Sequence, residues 1–92
     1  VVYGLYGHLS LASLNNLKEG QEIAAGQQFA TFGIPEENGH WPPHLHFQLI
    51  FDVKGYSGDY PGVCRYTQRE AFLANSPDPA PILKHTFPLV LV

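Results

Sequence analysis

One cysteine, no methionine and no long apolar run are the first things this 92-residue sequence lacks. With Cys64 alone, no disulfide closes within the chain and no two-thiolate zinc knuckle forms. Its ordinary reading is a small, half-buried hydrophobe. No stretch approaches the roughly 20 apolar residues that a bilayer-crossing helix needs, and no basic segment leading into an apolar one opens the chain. A membrane role is therefore not expected. Charge is sparse as well: Asp, Glu, Lys and Arg make up 14% of the residues, and five basic against eight acidic side chains give a net charge of -3. The first half carries most of that excess, with Lys18 set against Glu19, Glu22, Glu36 and Glu37. No cation cluster is present to displace counterions from phosphates, so nucleic-acid binding by bulk electrostatics is not expected. The missing initiator Met and the strand-like start at Val1 read as signs of a processed or excised piece of a longer protein.

What is present suits one domain or part of one, since 45% hydrophobic and 13% aromatic residues in this length support a single modest core. Eight Pro and nine Gly point to turns and β-structure. Residues 1–6 are β-branched and aromatic and read as a strand that breaks at Gly7-His8, placing His8 at a strand end. Residues 11–17 suit a short helical turn. Gly20, Gly26 and Gly33 punctuate residues 18–33 into a string of tight turns between short extended pieces. Residues 34–43 read as a loop, residues 44–51 as the clearest strand, and residues 52–66 as irregular. A helix is expected over 67–75, with Thr67 as its cap, Glu70 completing a capping box and Pro77 preventing continuation. The apolar end Leu89-Val90-Leu91-Val92 is either a docking segment, for instance onto a following domain, or the last strand of this one.

Five histidines are many for this length, and their placement matters more than their number. In a strand, residues two apart share a face, so His44 and His46 would present two imidazoles side by side while Leu45 and Phe47 face the other way. Such a soft nitrogen pair captures zinc or another borderline divalent metal. A catalytic zinc needs three protein ligands and an open position. From the residues alone His8, at the end of another strand, is the nearest third member and His40, in the loop entering the His44 strand, a further one; neither follows from spacing. The set taken is His8, His44 and His46, with one of the three acting as a base instead of a ligand. Spacing does not decide which. His40 reads as a solvated loop residue, and His85 has no evident partner.

Tyr6-Gly7-His8-Leu9-Ser10, Gly20-Gln21-Glu22-Ile23-Ala24-Ala25-Gly26-Gln27, Phe32-Gly33 and His44-Leu45-His46-Phe47 together resemble, in order and spacing, the second half of the lysostaphin-type (LytM- and LasA-like) zinc metallopeptidases, which cut peptide cross-links in bacterial cell walls. The resemblance covers about residues 1–50. It implies a mostly β fold, a small antiparallel sheet of barrel-sandwich type (the duplicated hybrid motif), to which the residues themselves add one short C-terminal helix. It also implies that His46 is a zinc ligand while His44 and His8 flank the metal as catalytic residues, orienting the attacking water and stabilising the oxyanion. On this reading residues 1–52 are the C-terminal part of a peptidase-like domain and residues 53–92 an irregular extension, with its helix at 67–75, leading to a following domain.

The sequence departs from that family in instructive places. The family's other two zinc ligands, a His and an Asp in a His-x-x-x-Asp motif, lie upstream of the matching segment and have no counterpart here. One ligand, His46, remains, and a fragment of this extent would be inactive alone. Asn38-Gly39-His40-Trp41-Pro42-Pro43 replaces the small residues usual before the His pair, so Trp41 forms a bulky groove wall, either contacting substrate or plugging a small core. Gln48 stands where the family often has Glu. Residues 58–63 and 76–79 resemble the segment that follows this domain in large bacterial fusions with a class III aminotransferase, which would be cytoplasmic; typical family members are periplasmic or extracellular. The competing reading is a non-catalytic, peptidase-derived module that binds a peptide or glycan or spaces two enzyme domains. A lipoyl-type carrier is discarded, because Lys18, Lys54 and Lys84 do not sit at a hairpin tip. An unpaired edge near Val1 and the apolar tail also make self-association an expectation.

Overall fold

The computed structural model describes residues 1–84 together with the backbone of Leu89 and Val90. Its centre is an antiparallel pair, β1 (Tyr3–Gly7) against β3 (His46–Ile50), in the register Tyr3↔Ile50 through Gly7↔His46. Leu49 and Ile50, on opposite faces of β3, are both buried, and Phe47 packs on Tyr6 with ring centroids 5.0 Å apart. Phe29 meets the other side of Tyr6 edge-on at 5.2 Å, and this cover raises the Tyr6 pKa by desolvation.

β3 begins two residues later than expected. Its partner explains this, because His8 follows Gly7 with φ of 65°, a left-handed turn that takes the chain out of the ladder just where Leu45 would pair. Pro42 and Pro43, lacking backbone N–H groups, also cannot extend the pairing. His44 and Leu45 are consequently exposed and outside the sheet, so His44 and His46 are not strand neighbours on one face.

After β1 the chain is pinned to residues 31–33. The Gly33 N–H donates to the His8 carbonyl at 2.7 Å, Leu9 and Phe32 bridge, and the Ser10 N–H donates to the Thr31 carbonyl at 2.9 Å. Ser10 caps the short helix α1 (Leu11–Leu14), its hydroxyl accepting from the Ser13 N–H. The buried Ser13 hydroxyl in turn accepts from the Thr31 N–H at 2.9 Å. The expected loop over 34–43 contains a helical turn, α2 (Pro35–Asn38). Pro35 supplies a helical φ at the first position, and the Glu37 carboxylate reaches back to the Ile34 N–H at 3.3 Å and across to the Leu11 N–H at 2.8 Å. Gly39 ends it with φ of 87°.

Residues 51–65 carry no regular structure but pack onto β3. The helix begins as a 3₁₀ turn (Tyr66–Gln68) and continues as α3 (Arg69–Asn75). Thr67 does not cap it: it lies inside the 3₁₀ turn, whose flanking Arg65 makes no side-chain cap bond, and the Arg69 guanidinium sits 4.1 Å over the Tyr66 ring. Asn75, the last residue of α3, fastens this helix to the end of β3. Its carbonyl accepts from the Phe51 N–H, its Oδ1 from the Asp52 N–H, and its Nδ2 donates to the Asp52 carbonyl and the Tyr60 hydroxyl, all at 2.7–2.8 Å. Tyr60 is thereby buried against Phe72.

A second short helix, α4 (Ala80–Leu83), follows, and β4 (Leu89–Val90) pairs antiparallel with β2 (Glu22–Ile23). The part of the apolar end that is described is thus a strand; Leu91, Val92 and His85 lie outside the described residues. Helical residues outnumber strand residues among those described, so the small antiparallel sheet and the short C-terminal helix are present while a mostly β character is not. Cys64 is exposed, not half-buried. No described helix is long and apolar enough to cross a membrane.

Candidate functional site

Three of the five histidines meet at the His8 end of the sheet. The His8 ring lies 4.6 Å from that of His44, tilted by 39°, and 6.0 Å from that of His46. Each arrives by a different route. His8 is projected by its left-handed backbone, a conformation costing about 1–3 kcal/mol that the surrounding hydrogen bonds must hold. Gly33 makes room for it, since a Cβ there would stand 3.0 Å from the His8 carbonyl and 3.2 Å from that of Leu9. His46 sits opposite Gly7, whose missing side chain makes room: a Cβ at Gly7 would come within 3.1 Å of the His46 Cβ. His44 is exposed and folds back on the prolines.

The hydrogen bonds settle which ring nitrogen each of two histidines presents. His44 Nδ1 lies 2.7 Å from the Pro42 carbonyl, which only accepts, so Nδ1 carries the proton and Nε2 keeps the lone pair. His46 Nε2 lies 3.0 Å from Gln48 Oε1. It too must donate, for the Gln48 amide is oriented by its NH₂ group, which donates to the Pro61 carbonyl at 3.2 Å and the Ser76 hydroxyl at 3.0 Å. His46 therefore keeps its lone pair on Nδ1. The two rings offer opposite nitrogens.

Beside them lies an open groove of about 400 Å³ lined by His8, Asn38, Trp41, Pro42, Pro43 and His44. Buried Asn38 shapes its wall: Oδ1 accepts from the Trp41 N–H at 2.9 Å and Nδ2 donates to the Gly33 carbonyl at 3.4 Å. Trp41 is 65% exposed, so it is not a plug over the core but part of the groove surface. His40 is exposed in the turn after α2.

For zinc, His44 and His46 each keep one ring nitrogen with a free lone pair, and of these the His46 nitrogen is the one the resemblance makes a ligand. His46 has an unprotonated Nδ1, but among the described residues no three His, Cys, Asp or Glu side chains are arranged to hold a metal ion, so the three-histidine site that spacing left open is not assembled. Sequence reasoning gave Asn38, Pro61, Gly62 and Ser76 no part in the site, and noted Gln48 only as a lost charge. Pro61, Gly62 and Ser76 come from segments with no periodic pattern, and nothing local ties them to His46. No family model matches this sequence, and no curated protein or solved structure matches it.

Proposed function

We propose that this chain is the C-terminal part of a zinc-dependent endopeptidase domain of the lysostaphin type, with peptide bonds of the cell-wall cross-link class as substrate. The observation that carries the reading is the convergence of His8, His44 and His46, with His44 presenting Nε2 and His46 presenting Nδ1. The further ligands belong upstream, and these residues alone would be inactive. The barrel-sandwich architecture and a fused aminotransferase belong to the same proposal.

The chain's own residues divide the work of hydrolysis. His44, with Nδ1–H held by the Pro42 carbonyl, takes the proton from the attacking water at Nε2 and returns it to the departing amine nitrogen. His8, 4.6 Å away, donates a ring N–H to the oxyanion that forms on the scissile carbonyl. His46 would hold the metal, its free nitrogen being Nδ1. Zinc, when bound, lowers the pKa of its water and polarises the carbonyl. Trp41, Pro42 and Pro43 form a rigid wall that holds the peptide in reach of His8 and His44.

The alternative is a peptide-binding module that cleaves nothing, supported by the aromatic and proline-walled groove, which needs no metal to hold an extended chain. Peptide hydrolysis and zinc content of the longer parent chain distinguish the two. The expected outcome is that His44→Ala lowers turnover about 10²–10⁴-fold with zinc retained, and that His46→Ala loses both. Peptide binding without cleavage by the wild type would establish the alternative.

A further inference from the structure

We infer that Gln48 is a positioning residue for His46: its side-chain oxygen fixes the imidazole as the Nε2–H tautomer and leaves Nδ1 as the binding nitrogen. The inference concerns the ring itself, and its bearing on metal rests on the endopeptidase reading above.

Gln48 and His46 lie two apart on β3 and so share a face of the sheet. The Gln48 amide spans three groups from three parts of the chain: His46 on its own strand, Pro61 in the segment after β3 and Ser76 just beyond α3. Turning the amide over would set Oε1 against the Pro61 carbonyl with no proton between the two acceptors, whereas the Ser76 hydroxyl can pair with either end, so the Pro61 contact locks the oxygen towards His46. The ring is held on two further sides. A Cβ at Gly62 would lie 2.9 Å from His46 Cε1, and one at Gly7 would lie 3.5 Å from Cγ. Nδ1, between those two carbons, has no hydrogen-bond partner among the described residues. Metal-binding histidines take this form, with the second ring nitrogen donating to an oxygen that sets tautomer and orientation. Here the neutral amide of Gln48 supplies that oxygen, and the segment after β3 keeps it aimed. Residues 61–62 and 76 thereby serve the site.

The test is a long-range proton–nitrogen NMR spectrum of the His46 ring in this chain at about pH 8.5, two units above the ordinary imidazole value and without metal. The expected result is a single Nε2–H tautomer whose ring proton exchanges slowly enough to be seen. Gln48→Leu and Gln48→Ala, which carry no acceptor, should each lose that proton signal and admit the Nδ1–H form. Backbone amide dispersion checks that each variant is folded. A wild-type ring protonated at Nδ1, or present as a mixture, overturns the inference even if no variant folds. So does a folded Gln48→Leu chain with an unchanged His46 spectrum. Adding zinc alone separates this from the metal reading: Nδ1 of His46 should be the nitrogen that responds. Zinc that leaves His46 untouched in every length of chain refutes its role as a ligand, whereas the metal-free tautomer decides the part played by Gln48.

Discussion

Glycine placement governs the site more than any charged residue does. Gly33 approaches the His8 and Leu9 carbonyls so closely that any side chain must displace backbone. Gly33→Ala should therefore cost about 1–3 kcal/mol and shift the His8 ring away from His44, seen in urea unfolding and in the His8 ring resonances. Tyr6 yields a pH prediction. Burial raises its pKa above the usual 10.0, so the stability it lends is complete below that value and is lost as pH climbs through the raised one. Alkaline unfolding should consequently begin above about pH 10 and be blunted in Tyr6→Phe, monitored by circular dichroism beside phenolate absorbance. Asp52 moves the other way: the Lys54 backbone N–H, 2.9 Å from Oδ1, lowers its pKa, with the Lys54 ammonium adding to this. Both groups are exposed, so little stability rides on the pair.

At the scale of elements, Asn75 is the fastening between α3 and β3. Asn75→Ala removes three side-chain hydrogen bonds to Asp52 and Tyr60 and should cost about 1–3 kcal/mol, whereas Asn16→Ala, at an exposed turn, should stay within about 0.5 kcal/mol by the same urea titration. The elements also separate what the sequence makes legible from what it does not. β1, α1, most of β3 and α3 are written in local pattern, because alternation and helix-stop signals act within a few residues. The shifted start of β3 was hidden, since it depends on the left-handed turn of His8 on the partner strand. α2 was hidden by Pro35, which reads as a loop residue yet opens a helix. Likewise His8, His44 and His46 stand out by residue type and strand position, but the nitrogens of His44 and His46 are assigned by the Pro42 carbonyl and by Gln48, and the latter's orientation comes from Pro61. Those contacts are distant in sequence, and no periodicity encodes them.

The whole molecule is loosely covered. Its accessible surface is 7033 Å², against about 5,300 Å² for a compact chain of this mass, and its radius of gyration is 14.0 Å, against roughly 12 Å. Only Ile23, Leu49, Ile50 and Tyr60 form the buried apolar core among the described residues, while Leu11, Leu14, Val63, Tyr66 and Leu73 stand exposed. Apolar surface left in water associates. Light scattering should show mass rising with concentration, and a clean monomer at high concentration would count against this.

The proposed function makes His46 one zinc ligand of a site whose other ligands lie upstream. Zinc stoichiometry by elemental analysis and titration tests it most directly, on this chain and on its longer parent, each with His46→Ala alongside. The expected result is one tightly held zinc in the parent, lost in His46→Ala, and weak binding at most in the 92 residues alone. A parent chain that binds no zinc, or that keeps it in His46→Ala, would contradict the claim.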